Sequence, residues 1–271
     1  FTGFKTSAGP VDIGNLWHHG GFFPKGASGF ILSFQMATFA FCGVELVGLI
    51  GGETADPKSV LPKAINTIPL RIILFYLGSL FMIMSIYPWS SLSADQSPFV
   101  QVFSEIGIAA AASIVNLVVL SSAMSACNSA IYSTSRMVRS LAQEGSAPSR
   151  FTKLTRNRVP VSALVFSTLV IFIAVLLNFI VPSHIFTIIS SIATICFIFI
   201  WGMIVFTHMR YRKTKPELAA KSTFKLPFFP YSSYLIFAFL AFVLFVLTLA
   251  SDTREALLFS PFWFIGLLVI Y

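Results

Sequence analysis

Long apolar runs separated by short polar connections dominate the chain. They fall near residues 29–52, 68–88, 109–135, 161–181, 184–209, 230–250 and 256–271. A helix rises about 1.5 Å per residue, so a hydrocarbon core of about 30 Å takes roughly 20 helical residues. The runs have that length or come close to it. The connections carry Pro, Ser or charge: Ala55-Asp56-Pro57-Lys58, Pro88-Trp89-Ser90-Ser91, Arg156-Asn157-Arg158-Val159-Pro160, Val181-Pro182-Ser183 and Ser251-Asp252-Thr253-Arg254. Barrel strands are about half this length, so the pattern predicts an all-α membrane bundle with residues 1–271 forming one transmembrane domain.

Composition agrees with the pattern. Hydrophobic residues make up 56% of the chain and charged residues 10%, with 30 Phe and a mean hydropathy of +0.85. That leaves too little polar surface to cover a soluble globule. The net charge of +8 would suggest a nucleic-acid partner in a soluble domain, but its distribution has a different meaning. The connections after spans one, three and five carry Lys58, Lys63 and Arg71, then Arg136, Arg139, Arg150, Lys153, Arg156 and Arg158, then Arg210, Arg212, Lys213, Lys215, Lys221 and Lys225. The opposite side has only Lys5, Lys25 and Arg254. By the positive-inside rule the heavy side is cytoplasmic, so the basic excess reports topology and no nucleic-acid partner is expected.

The three cysteines, Cys42, Cys127 and Cys196, lie in three different spans with no metal-ligand spacing. Free, buried thiols and no bound metal are expected. There is no initiator Met; a polar segment, Phe1 to Gly29, opens the chain on the expected outer side, and the last apolar run is still open at Tyr271. The sequence therefore reads as a piece of a longer transporter.

Glu45 is the only ionisable residue in the middle of a long apolar run, in Phe39-Ala40-Phe41-Cys42-Gly43-Val44-Glu45. A carboxylate at membrane depth costs about 3 kcal/mol or more unless a cavity or partner receives it, so it marks a functional site by default. The alternative is a carboxylate bonded to nearby backbone that only holds helices together. In span three, Ser121, Ser125, Asn128, Tyr132 and Arg136 share one stripe at about 100° per residue. A stripe of this kind lines a polar pathway or permits close helix packing. Thr187, Ser190, Ser191 and Thr194 repeat it more weakly in span five. Soluble-enzyme constellations are missing: no Ser/His/Asp order, His pair or phosphate-cradling Gly loop stands out, and His18, His19, His184 and His208 lie at span ends or in the opening segment. No enzyme activity and no cofactor are expected.

Three stretches carry a family resemblance. Phe39-Ala40-Phe41-Cys42-Gly43-Val44-Glu45, followed by Gly52-Glu53-Thr54-Ala55-Asp56-Pro57-Lys58 and Leu61-Pro62-Lys63-Ala64-Ile65, resembles the sixth helix and following loop of bacterial amino-acid permeases of the amino acid-polyamine-organocation superfamily. Ser135-Arg136-Met137 with Leu141-Ala142-Gln143-Glu144-Gly145-Ser146-Ala147-Pro148 resembles the end of their eighth helix. Tyr87-Pro88-Trp89-Ser90-Ser91 and Ser97-Pro98-Phe99-Val100 look most like the D-serine/D-alanine/glycine permeases. The resemblance implies a twelve-helix fold with two inverted repeats of five, of which this chain would hold helices six to twelve, its first span broken.

It further implies a substrate site at Phe39, Ala40, Phe41, Cys42 and Gly43, with coupling or gating roles for Glu45, Ser121, Ser125 and Asn128. A break around Cys42 and Gly43 frees carbonyls at a half-helix C-terminus, which suits a substrate ammonium. Glu45 is then placed either to accept a proton or to anchor a helix. The expected function is import of small neutral amino acids across the bacterial cytoplasmic membrane by proton symport with alternating access. Another substrate, 4-aminobutyrate or an aromatic amino acid, is the nearest alternative, and a channel or membrane-embedded enzyme the remote one. Sodium stays open as the coupling ion because sodium-coupled relatives of the fold use hydroxyls on helix eight, where Ser121-Ser122 stands. The partners expected are the amino acid, the proton and the lipid bilayer, with oligomeric state left open.

Overall fold

The computed structural model describes residues 5–7, 9–49, 54–92, 97–105, 109–180, 182–249 and 251–270. Gly52 and Glu53 of the second motif and Asp95 lie outside the described residues, as do the side chains of His184 and Thr187. The chain is mostly helical. After a small antiparallel hairpin, β1 (Lys5–Thr6) with β2 (Gly9–Pro10), and a 3-10 turn at Ile13–Leu16, the helices are α1 (Gly26–Ala40), α2 (Leu46–Leu49), α3 (Pro57–Arg71), α4 (Gly78–Ile86), α5 (Pro98–Glu105), α6 (Ala109–Gln143), α7 (Val161–Ile180), α8 (Pro182–Thr214), α9 (Pro216–Ala220), α10 (Tyr231–Leu247) and α11 (Ser251–Ile270).

These bounds differ from the hydropathy pattern in instructive places. The second apolar run starts near 68, yet the helix begins at Pro57, continues through a π-helical segment at Ile72–Leu77 and ends at Ile86. Pro57 occupies the first helical position, where its missing N–H costs no hydrogen bond and its fixed φ suits the helix. The π segment leaves carbonyls misaligned with the ladder, and the Ser79 hydroxyl donates to two of them, on Phe75 and Tyr76. Likewise α6 runs past its apolar part to Gln143. The apolar runs mark only part of each helix, not where it ends.

Among the described residues, four helices are long and apolar enough to cross a bilayer: Pro57–Ile86, Ala112–Gln143, Val161–Ile180 and Ile189–Thr214. Tyr231–Leu247 and Ala256–Val269 are apolar but shorter. The first expected span is divided between α1 and α2.

Residues group into two compact units, Phe1–Gly29 with Lys63–Ser133, and Phe30–Pro62 with Thr134–Tyr271. In the first, the opening segment packs on the end of α4. The buried Asn15 amide donates to the carbonyls of Pro10 (3.2 Å) and Ser85 (3.0 Å), and the Asp12 N–H also reaches Ser85 (3.1 Å). Tyr87, fully buried, closes a small core with Ile83 and Val102. The Trp89 indole donates to the His19 carbonyl (3.0 Å), and the Lys25 ammonium lies 5.5 Å from its ring. These bonds give an otherwise irregular segment a defined backbone course.

In the second unit α8 is central and packs against α7, α10 and α11. Ile195, Ile198, Leu240, Val243, Leu247 and Ala256 form its core. A smaller cluster of Ala142, Phe151 and Ala163 fixes the turn between α6 and α7. Pro261 stands inside α11 and cannot donate to the Leu257 carbonyl four residues back. The Ser260 hydroxyl donates there instead, at 2.8 Å.

Candidate functional site

The interruption anticipated at Cys42 and Gly43 falls within Phe41–Glu45, between α1 and α2. The last turn of α1 tightens: Phe41 N–H donates to the Thr38 carbonyl (3.2 Å) and Cys42 N–H to that of Phe39 (3.0 Å). Gly43 then adopts φ +103°, a conformation that L side chains rarely take, so the chain can change direction here only because this residue has no Cβ. Val44 N–H reaches the Phe41 carbonyl (3.4 Å), and Leu46 N–H returns to that of Gly43 (3.1 Å) as α2 begins. Each accepting carbonyl keeps a second lone pair, so the turn presents several partially negative oxygens to a cation. Phe39, Phe41, Cys42 and Gly43 are half-buried and Ala40 is exposed.

Glu45 closes the turn. Its carboxylate accepts the Gly43 N–H with both oxygens, Oε1 at 3.1 Å and Oε2 at 3.2 Å. That N–H is one the helix break would otherwise orphan. Oε2 also accepts from the indole Nε1–H of Trp201 on α8, at 3.2 Å. The glutamate is thus bonded to its own turn and to a helix far along the sequence, and an ionised carboxylate has acceptor capacity beyond these contacts. Residue patterns alone did not reveal Trp201. A signal was present all the same, since an indole N–H at membrane depth needs an acceptor, and intact helix backbone leaves it few.

Ser121, Ser125 and Asn128 belong to the first unit, on an exposed stretch of α6. The Ser121 and Ser122 hydroxyls both donate to the Val118 carbonyl, at 2.9 and 2.8 Å, and Ser129 donates to that of Ser125 at 3.0 Å. On α8, Ser190, Ser191 and Thr194 are buried, and the Thr194 hydroxyl donates to the Ser190 carbonyl at 2.8 Å. Burial of these three favours packing over a polar pathway in that span. All three cysteines are free thiols, but they are not buried as expected: Cys127 is exposed and Cys42 and Cys196 are half-buried.

Apolar helices of membrane length, with one helix interrupted around a bonded carboxylate, define a multi-pass membrane protein whose irregular backbone sits where polar groups are satisfied within the protein. The chain belongs to the amino acid permease family, which it matches over residues 1–271. It is 60% identical to an uncharacterised transporter of Bacillus subtilis strain 168, YdgF, over the whole chain and 59% of that relative. It is 57% identical to the amino-acid permease AapA of the same organism, over 99% of the chain and 58% of the relative. It is 49% identical to a D-serine/D-alanine/glycine transporter of Escherichia coli K12, over 95% of the chain and 55% of the relative. The chain therefore spans somewhat over half the length of these curated relatives. No solved structure matches it. The family and the relatives are transporters, not enzymes.

Proposed function

We propose that the full-length protein imports small neutral amino acids of the glycine, D-alanine and D-serine type across the bacterial cytoplasmic membrane, by proton symport with alternating access. The observation that carries this reading is the Phe41–Glu45 interruption, with Gly43 at φ +103° and a carboxylate bonded across it, in a chain of the amino acid permease family. A transported zwitterion needs an oxygen-rich locus for its ammonium, and the carbonyls at the C-terminal end of α1 supply one. Phe39, Ala40, Phe41, Cys42 and Gly43 form that side of the site. The half-buried rings of Phe39 and Phe41 bound the side-chain space and favour small substrates. Glu45 serves coupling, and Ser121, Ser125 and Asn128 line the polar path or gate. The likeness to the D-serine/D-alanine/glycine transporter supports the choice of substrate. On this reading the chain is the second part of a twelve-helix protein with two inverted repeats of five.

Competition for uptake by the full-length protein tests the substrate class. Glycine, alanine and D-serine should displace one another. Strong displacement by lysine or tryptophan alone would reject the assignment.

A further inference from the structure

We propose that Trp201 is a positioning residue for the transport step: its indole N–H holds the Glu45 carboxylate, and through it the Phe41–Glu45 turn, against the α8 core. The inference rests on the transport reading above and adds to it a residue that the pattern of the sequence does not single out.

The geometry points to this role from both ends of the bond. An indole N–H is a lone donor with no acceptor function, and in a span it has no water to fall back on. The intact ladder of α8 occupies that helix's own carbonyls, whereas Glu45 Oε2 lies 3.2 Å away. The ring behind the donor is not free to swing. It packs against the buried core cluster of α8, α10 and α11 and lies 6.0 Å from the Phe197 ring. The donor direction is therefore set by the core, and the carboxylate must come to it.

The broken span has a second attachment of a different kind. Before the break, Phe34 of α1 meets Phe242 edge-on at 5.2 Å and Phe239 at 6.5 Å, both on α10. An aromatic contact tolerates sliding and tilting, but a hydrogen bond to a charged group is directional and is lost over a short displacement. The two attachments sit on one packed core and enclose the turn between them, with Gly43 as its most deformable residue. In such an arrangement the aromatic contact keeps α1 seated while the Glu45 to Trp201 bond sets whether the turn is held or released. Among the described residues, removing the indole N–H leaves the carboxylate with its bonds to Gly43 alone, so the turn loses its fixed reference on α8.

The test uses the full-length protein in proteoliposomes, in a background where Cys42 is the sole cysteine, and reads two quantities. One is the rate at which N-ethylmaleimide alkylates Cys42 within the turn; the other is glycine exchange. Trp201→Phe keeps the ring and removes the donor. It should raise the alkylation rate by about tenfold, the scale of losing one charge-assisted hydrogen bond, and lower maximal exchange by a similar factor, with half-saturation for glycine changed less than about twofold. Because the two residues act as one unit, Trp201→Phe should add nothing further in a Glu45→Ala background. An unchanged alkylation rate, or full additivity with Glu45→Ala, would overturn the proposal. If the Phe variant does not reach the membrane, 3-benzothienylalanine at position 201 preserves the ring shape while replacing N–H with sulfur. It should give the same rise in labelling, and a wild-type rate there would equally overturn it. Alkylation needs no substrate, so a wild-type protein that moves no amino acid sinks the transport reading while the bond is still judged on Cys42.

Discussion

At the scale of single residues, the sequence singles out Glu45, and the structure bonds it to Gly43 and Trp201. It was legible because an ionisable group amid apolar neighbours has few physical explanations. Its partner Trp201 was not, because one of four tryptophans in a chain this apolar carries no distinguishing local pattern. Long-range pairing of this sort depends on helix packing that periodicity alone does not fix. The bonds to Gly43 and Trp201 show how the carboxylate is received, and substitution separates anchoring from coupling. In Glu45→Gln the side-chain volume and an accepting carbonyl remain while the charge goes. Proton-driven accumulation should fall by about tenfold or more with the protein still in the membrane, and exchange without net proton movement should survive better. Equal loss of both would assign Glu45 to anchoring or binding, and normal uphill uptake would remove it from the mechanism.

At the scale of elements, the helix break at Cys42 and Gly43 was anticipated from the family resemblance, whereas helix ends were not legible. Lys58, Pro62 and Lys63 read as a connection, but α3 already includes them. A polar face and an N-terminal proline are compatible with a helix that stands outside the hydrocarbon. The proline in α11 shows how a break in the backbone ladder can be contained. Because the Ser260 hydroxyl occupies the carbonyl that Pro261 leaves unpaired, Ser260→Ala should destabilise the protein by about 1 kcal/mol in thermal or denaturant unfolding. In a Pro261→Ala background, where the N–H is restored, the same change should cost much less. Equal costs in both backgrounds would show that the hydroxyl does not serve that carbonyl.

For the whole molecule, the class was legible from the apolar runs, and the charge distribution gives an expected orientation. Of the seven spans expected, four appear among the described residues as single helices of crossing length; α10 and the apolar part of α11 are shorter, and the first is split. The 17 residues of α10 reach only about 26 Å as a helix, short of a hydrocarbon core of about 30 Å. The positive-inside distribution predicts that Lys58, Arg150 and Lys213 face the cytoplasm, and that Asp95, Pro182 and Asp252 face outward. Single cysteines at these positions in intact cells should react with an impermeant reagent only at 95, 182 and 252. Reaction at 150 or 213 would invert the topology.

The central claim is that this chain is part of a carrier whose broken helix receives a small amino acid, and counterflow tests it most directly. Full-length protein in proteoliposomes preloaded with unlabelled glycine should transiently concentrate external labelled glycine. Internal D-alanine or D-serine should substitute for glycine, and collapse of the proton gradient should leave the effect in place. A labelled pool that only equilibrates, or no entry of any amino acid, would contradict the account.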